Sequence, residues 1–268
     1  MAPRLLSCFR RRSDHDRDGE KAATVDVSTE EQRRGGPVLV ELFSSQGCAS
    51  SPEAELLFSR LGRGDFAVEA PLILLAYHVD IWDYMGWKDP FGSSQWTVRQ
   101  KAYVEALHLD TMFTPQIVVQ GHAQCIANDE EAMLSCIASA PRFPAPTFQA
   151  SFEKPTPETL QVTLTGALRS KVDHEGVNVM VALYESGMVT DCSGGVNKGR
   201  VLANDYIVRR LDKLCSVKDI SARKTLTGTL NFSLWEGFNA AKCGLALFVE
   251  APSHRILGSQ SFKLPEKL

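Results

Sequence analysis

The order of apolar and helix-like segments between residues 36 and 140 constrains the fold more than any other feature of the sequence. Residues 37–43 and 71–79 are apolar without clean alternation, which is typical of buried strands. Five further segments lie between and after them, at residues 53–61, 94–108, 117–119, 124–127 and 129–140. The seven segments follow the order strand, helix, strand, helix, strand, strand, helix. This order predicts an α/β domain over residues 36–140.

Cys48 lies at the first junction between a predicted strand and a predicted helix. The N-terminus of a helix offers unpaired N–H groups and the positive end of the helix dipole, and both favour the nucleophilic thiolate. Ser51 stands where a dithiol redox protein has its second cysteine, so Cys48 has no neighbouring thiol in this motif. The alternative interpretation is that Cys48 is an ordinary small residue of the core.

The second half of the chain follows a proline-rich joint at residues 141–146. Short strand-like segments with even spacing and turn residues recur over residues 147–268, and this pattern predicts an all-β, sandwich-like domain. A single extended α/β domain is the rival interpretation, but no helix-like segment alternates with these strands. Residues 1–35 are predicted to be a disordered tail, in which acylation of Cys8 is an open alternative.

Composition excludes several classes of function. The net charge of −3 gives no electrostatic basis for binding nucleic acid, and no apolar run approaches the ~20 residues of a membrane span. The seven cysteines are odd in number and widely spaced, which indicates reduced thiols and a cytoplasmic location rather than a disulfide scaffold.

A loop rich in aromatic and acidic side chains runs from Asp80 to Phe91, directly after the second predicted strand. Ligands of open α/β sheets bind beyond the carboxyl ends of the strands, and Cys48 lies at the same edge. The candidate binding residues at this edge are His78, Asp80, Trp82, Asp83 and Trp87.

Four motifs in this order resemble the thioredoxin-like family catalogued as domain of unknown function 1223. They are Gln46-Gly47-Cys48-Ala49-Ser50-Ser51-Pro52, His78-Val79-Asp80-Ile81-Trp82-Asp83, Gly86-Trp87-Lys88-Asp89-Pro90-Phe91 and Thr114-Pro115-Gln116. The resemblance runs from about Pro37 to Leu264. It implies an α/β thioredoxin-like domain, with a cis Thr114–Pro115 bond in contact with Cys48. The family usually has Cys-x-x-Cys-Pro at the first motif, whereas this chain has Ser51 at the second cysteine position.

The resemblance and the single cysteine together predict thiol–disulfide exchange by a monothiol centre, similar to that of monothiol glutaredoxins. Cys48 is then the nucleophile, Ser51 stabilises its thiolate, and Thr114 and Pro115 shape the substrate groove. Glutathione is the expected co-substrate, with no metal or other cofactor, and the partner is a protein or a small thiol. The alternative is a non-catalytic protein that binds a partner through a redox-inactive module.

A purely structural role is an open alternative for each of the other candidate site residues. His78 is either a satisfied structural histidine or a proton donor and acceptor near Cys48. Asp80 and Asp83 either cap the turn around Trp82 or bind a polar ligand, and the two tryptophans either line a groove or cover the sheet. Cys192, in a glycine-rich loop, is the candidate for a resolving thiol that comes from elsewhere in the chain.

Overall fold

The structure is a computed structural model, and it describes residues 35–169, 172, 175–218, 224–266 and 268. The predicted tail at residues 1–35, apart from Gly35, lies outside the described residues, and so does Cys8. Residues 141–146, the predicted joint, contain no helix or strand. Within the described residues, no helix has both the length and the apolar character needed to cross a membrane.

The segments before residue 140 form in the predicted order. They are β1 (Val38–Ser44), α1 (Ser51–Arg63), β2 (Leu72–His78), α2 (Ser94–Ala106), β3 (Gln116–Val119), β4 (Ala123–Ile126) and α3 (Glu130–Ala138). Every residue of β1 is buried, as its unbroken apolar run predicts. Pro52 occupies the first turn of α1, where its missing N–H costs no hydrogen bond. Gly64 ends α1 in the left-handed conformation, with φ of 80°.

Strands dominate the rest of the described chain. They are β5 (Thr147–Thr156), β6 (Thr159–Ala167), β7 (Val177–Glu185), β8 (Met188–Asp191), β9 (Val201–Asn204), β10 (Ile207–Val217), β11 (Thr225–Ser233), β12 (Cys243–Glu250) and β13 (Ile256–Lys263). A short 3-10 helix, Gly195–Asn197, lies between β8 and β9, and another, Asp83–Met85, follows β2.

The predicted fold class, an α/β thioredoxin-like domain followed by an all-β sandwich, is wrong. The described chain is mostly β, with 13 strands, and its main sheet is a mixed eight-stranded one. The order in that sheet is β13-β12-β7-β10-β2-β1-β3-β4, so strands from both halves of the sequence share it. The halves join where Ile207 of β10 pairs in parallel with Ala76 of β2. This pairing covers the edge of β2, whose backbone groups would otherwise stay unpaired.

Three hydrophobic clusters form the core of the part of the chain that the structure describes. One lies between the main sheet and helices α1 and α3, and a second lies under α2 on the opposite face. The third joins β7 and β12 of the main sheet to the separate sheet β11-β6-β5. The apolar alternation in β6 therefore does place one face in a core, but the layer opposite it belongs to the shared sheet.

Candidate functional site

Cys48 lies in the turn that connects β1 to α1. Its backbone N–H donates to the carbonyl of Ser45 at 3.0 Å, which closes the turn just before the helix begins at Ser51. Ser50 is the N-cap residue and Cys48 precedes it by two positions. The cysteine is only 8% exposed, so little of the residue is accessible to solvent.

Hydroxyl groups surround the Cys48 sulfur. The Ser50 hydroxyl lies 3.4 Å from Sγ, and the thiol lies 3.5 Å from the carbonyl oxygen of Thr114, to which it can donate. Burial by itself raises the pKa of the Cys48 thiol, but hydrogen bonds from Ser50, Ser51 and Thr114 outweigh it, and the net pKa is lowered. Burial instead raises the pKa of other thiols; these are Cys125, Cys215 and Cys243.

The Thr114–Pro115 peptide bond is cis, as predicted, and its carbonyl oxygen contacts Cys48. The indole N–H of Trp82 donates to the Thr114 hydroxyl oxygen at 2.7 Å. Trp82 also covers the cysteine loop closely, because a Cβ atom at Gly47 would lie 2.9 Å from its Cβ. A glycine before Cys48 therefore allows the Cβ and backbone of Trp82 to approach the cysteine loop.

Ser51 lies beneath the cysteine loop and is 1% exposed. Its hydroxyl oxygen accepts a hydrogen bond from the backbone N–H of Ser45 at 3.3 Å. Because the oxygen is used as an acceptor, the hydroxyl proton is available to Cys48, and the Ser51 hydrogen bond lowers the pKa of that thiol.

His78 is fully buried between two carboxylates. Its Nδ1 lies 2.8 Å from Oδ2 of Asp89 and its Nε2 lies 3.2 Å from Oε1 of Glu55. The second contact is an ion pair whose alignment falls short of a hydrogen bond. Burial alone lowers the pKa of His78, but the two carboxylates raise it to about 10. The charged imidazolium in turn helps to lower the pKa of Asp89 against its burial, so this group is a buried ionic cluster.

The ionic cluster supports the cysteine loop through Gln46. The backbone N–H of Gln46 donates to Oδ2 of Asp89 at 2.7 Å. Trp87 donates its indole N–H to Oε1 of Gln46 at 3.1 Å. Trp87 therefore contacts Gln46 directly, and His78 reaches it through Asp89. Neither side chain is a hydrogen-bond partner of the Cys48 sulfur, which contacts Ser50 and Thr114.

Asp80 and Asp83 organise the loop that carries Trp82. Oδ1 of Asp80 accepts the Thr97 hydroxyl proton at 2.6 Å, and Oδ1 of Asp83 accepts the backbone N–H of Asp89 at 3.1 Å. Burial raises the pKa of Asp83, and the nearby negative charges of Asp89 and Asp80 add to it. The Asp80 contact joins the loop to α2, and the Asp83 contact holds the backbone at Asp89. Within the described ranges, no group of three His, Cys, Asp or Glu side chains is arranged to hold a metal ion.

Sequence reasoning missed the residues that hold the loop from the second half of the chain. The side-chain amide of Asn197 donates to the carbonyl oxygens of Gln46 and Cys48, both at 2.9 Å. Asn204 accepts from the Gln46 amide at 2.8 Å. Nothing local in the segment that carries Asn197 indicates a partner 149 positions earlier. Glu55 and Asp89 were also missed, although both are carboxylates inside or beside the motifs.

The chain belongs to the family described as protein of unknown function, DUF1223, whose family model matches residues 39–250. A search of curated proteins finds no matching sequence. Membership of this family confirms the resemblance to domain 1223 without assigning a function.

Two solved structures share the fold. Protein AGR_C_4864 from Agrobacterium tumefaciens is 20% identical with a TM-score of 0.59, and the match covers 87% of this chain and 97% of that one. HBP35 of Porphyromonas gingivalis is 15% identical with a TM-score of 0.60, and the match covers 86% of this chain and 76% of that one. At these identities the similarity concerns the fold alone.

Proposed function

We propose that this chain carries out thiol–disulfide exchange through the single thiol of Cys48, with glutathione as co-substrate. The observation that carries the proposal is the position of the Cys48 sulfur just before α1, 3.4 Å from the Ser50 hydroxyl oxygen and 3.5 Å from the Thr114 carbonyl oxygen. Hydrogen bonds at this position lower the thiol pKa, which burial alone would raise. Hydroxyl groups that stabilise the thiolate are the feature expected of a nucleophile and not of a cysteine that only fills space.

The chemistry is a pair of exchange steps. The Cys48 thiolate attacks one sulfur of a substrate disulfide, the substrate S–S bond breaks, and the departing thiolate takes a proton from water. A glutathione thiolate then attacks the mixed disulfide, restores the Cys48 thiolate and leaves as part of a glutathione-linked product. The external thiol is needed because Ser51 replaces the resolving cysteine of the motif. The reaction requires a reducing compartment such as the cytosol.

Each hydroxyl group has a stated role in this proposal. Ser50, Ser51 and Thr114 hold the sulfur as thiolate before attack and stabilise it again when it leaves. Thr114 also offers its carbonyl oxygen beside the sulfur. Pro115 completes the cis bond and directly precedes β3, which begins at Gln116.

A non-catalytic binding role is the second candidate. The observation that favours it is the low exposure of Cys48, at 8%, together with the clamp that Asn197 places on its carbonyl group. A disulfide substrate needs an in-line approach to the sulfur, and a tight loop restricts that approach. In this candidate function the same edge of the sheet holds a partner protein without exchange of thiols.

The test combines alkylation with a turnover assay. The rate of alkylation is measured against pH for the wild type and Cys48→Ser, with labelled peptides identified by mass spectrometry. We expect Cys48 to be labelled first at neutral pH, with a pKa below the ~8.5 of a free cysteine. Reduction of a model disulfide is then followed with and without glutathione, with Cys215→Ser as the control.

The outcomes separate the two candidates. Glutathione-dependent turnover that Cys48→Ser abolishes and Cys215→Ser retains supports exchange. A reactive Cys48 without turnover on protein or small disulfides favours the binding role. Labelling of Cys125 or Cys243 ahead of Cys48 contradicts the argument from the thiolate.

A further inference from the structure

Two other cysteines lie against each other where β4 meets α3. Cys136, on α3, has its sulfur 3.9 Å from the carbonyl oxygen of Gln124, the residue before Cys125 in β4. Cys125 and Cys136 also pack at the same hydrophobic cluster between the main sheet and α3, and Cys136 is one of the neighbours that raise the pKa of Cys125. Cys125 is 9% exposed, whereas Cys136 is partly exposed. One thiol of the pair is thus in the core and the other is accessible from the surface.

Packing holds together the strand and the helix that carry the two cysteines. β4 is the terminal strand of the eight-stranded sheet, and α3 packs over it. Cys125 belongs to the same hydrophobic cluster as Met133 and Ile137 of α3, and Cys136 packs against that cluster. The backbone positions of both cysteines are therefore defined by buried neighbours on either side.

We propose that Cys125 and Cys136 form a site of reversible oxidation, in which a hydroperoxide converts the two thiols into a disulfide. The Cys136 thiolate attacks the peroxide, the O–O bond breaks, and Cys136 becomes a sulfenic acid while one hydroxide leaves and is protonated to water. The Cys125 sulfur then attacks the Cys136 sulfur, the S–O bond breaks, and the proton of Cys125 leaves with the hydroxide as a second water. Two thiols and one hydrogen peroxide give one disulfide and two waters.

The environment of each thiol sets this order of events. Burial raises the pKa of Cys125 to about 12, and the neighbouring Cys136 adds to the shift through its charge and its hydrogen bond. Cys125 is therefore the slower thiol to react with a reagent from solvent, and Cys136, which is partly exposed, reacts first.

This site is separate from Cys48 and does not depend on the exchange reaction proposed for it. The new bond would tie the terminal strand of the main sheet to the helix that covers it. We expect it to raise the thermal unfolding temperature by restricting the unfolded chain. Oxidation would then protect this end of the fold without using the thiol at the start of α1.

The experiment treats the full chain with hydrogen peroxide, blocks free thiols, and maps non-reduced peptides by mass spectrometry. The expected result is a linked pair of peptides containing Cys125 and Cys136, about ten-fold more abundant than any other linkage, because neighbouring thiols capture a sulfenic acid fastest. The same product is expected from Cys48→Ser and Cys215→Ser. It should be absent from Cys136→Ser and Cys125→Ala.

The peptide map of the oxidised wild-type protein tests the proposal even where a variant fails to fold. Sulfinic or sulfonic acid at Cys136 without the linked peptides overturns the proposal, because an available partner thiol would have trapped the sulfenic acid. A linkage that joins Cys136 to Cys48 also overturns it. An unfolding temperature that rises on oxidation in the wild type and not in Cys136→Ser supports the stabilising effect of the bond.

Discussion

The indole N–H of Trp82 donates a hydrogen bond to the hydroxyl oxygen of Thr114 at 2.7 Å, and the Thr114 hydrogen bond lowers the pKa of the Cys48 thiol. Since the Thr114 oxygen accepts from the indole, its own proton is directed to another acceptor, and the Cys48 sulfur provides one. Trp82 thus acts on the cysteine through Thr114. The indole N–H polarises the Thr114 hydroxyl group, which makes that hydroxyl a stronger hydrogen-bond donor to the thiolate.

Replacement of Trp82 by phenylalanine should therefore make Cys48 less reactive. The lost hydrogen bond, worth about 0.5–1.5 kcal/mol, acts on Cys48 only through Thr114, so the Cys48 pKa should rise by less than about one unit. We expect the alkylation rate at neutral pH to fall by about two- to ten-fold. Trp87→Phe is the matched control, because it removes an indole donor to Gln46 in the same loop without touching Thr114. An unchanged pKa in Trp82→Phe would remove the role assigned to the indole.

Ser51→Cys should convert the site into one that forms an internal disulfide. Cys48 lies in the turn just before α1 and Ser51 is the first residue of that helix, where its hydroxyl lowers the pKa of the Cys48 thiol. The sulfur atoms of residues 48 and 51 can therefore approach to about 2 Å. The new thiol can release a mixed disulfide from Cys48 without glutathione.

The measurement for this variant is disulfide reduction in the presence and absence of glutathione, with the trapped species identified by mass spectrometry. Ser50→Cys is the matched control, because Ser50 also lies beside the sulfur but outside the position of the second motif cysteine. Failure of Ser51→Cys to form the internal bond under oxidant would show that the two side chains do not meet in solution.

The ionic cluster around His78 should make stability depend on pH above neutrality. The folded pKa of His78 is about 10, above the ~6.5 of an unfolded histidine, so folding favours the charged form. The stabilisation is full below about pH 6.5 and is lost as pH rises through the folded pKa. His78→Gln leaves Asp89 and Glu55 buried without their cation, and we expect a loss of about 3–5 kcal/mol of unfolding free energy.

Chemical unfolding of His78→Gln between pH 6.5 and 10 tests the assignment of charge. Wild-type stability should fall over this range, whereas that of the variant should change less. His122→Gln, at an exposed site, should keep the wild-type dependence. Equal slopes for the wild type and His78→Gln would mean that His78 is neutral in the folded protein.

Asn197→Ala should lower the free energy of unfolding, because it removes the contact that holds the cysteine loop from the second half of the chain. Asn197 is 2% exposed, and its amide serves two carbonyl oxygens of the loop. Removal of a buried donor leaves those oxygens unsatisfied, at a cost of about 1–3 kcal/mol of unfolding free energy. Asn231→Ala, which breaks an exposed contact with Gln161, should stay within about 0.5 kcal/mol of the wild type. Denaturant titrations of both variants give the comparison, and equal stabilities would argue against the clamp.

The local elements of this protein follow from the sequence because their causes are local. The unbroken apolar run of β1, the proline in the first turn of α1 and the glycine after it each define an element through nearest neighbours. The position of Cys48 before α1 and the cis bond at Thr114–Pro115 were also predicted. The same periodicity identified strands in the second half, although it did not show which sheet they join.

Tertiary structure decided which strand edges meet and which distant side chains reach the cysteine. β10 pairs with β2 because the edge of β2 is open, and a strand pattern read along the chain carries no information about its partner. The donors to the Cys48 loop come from positions as far apart as Trp87 and Asn197. The charge on His78 likewise depends on Asp89 and Glu55 being brought together in a buried space, where low polarity strengthens their interaction.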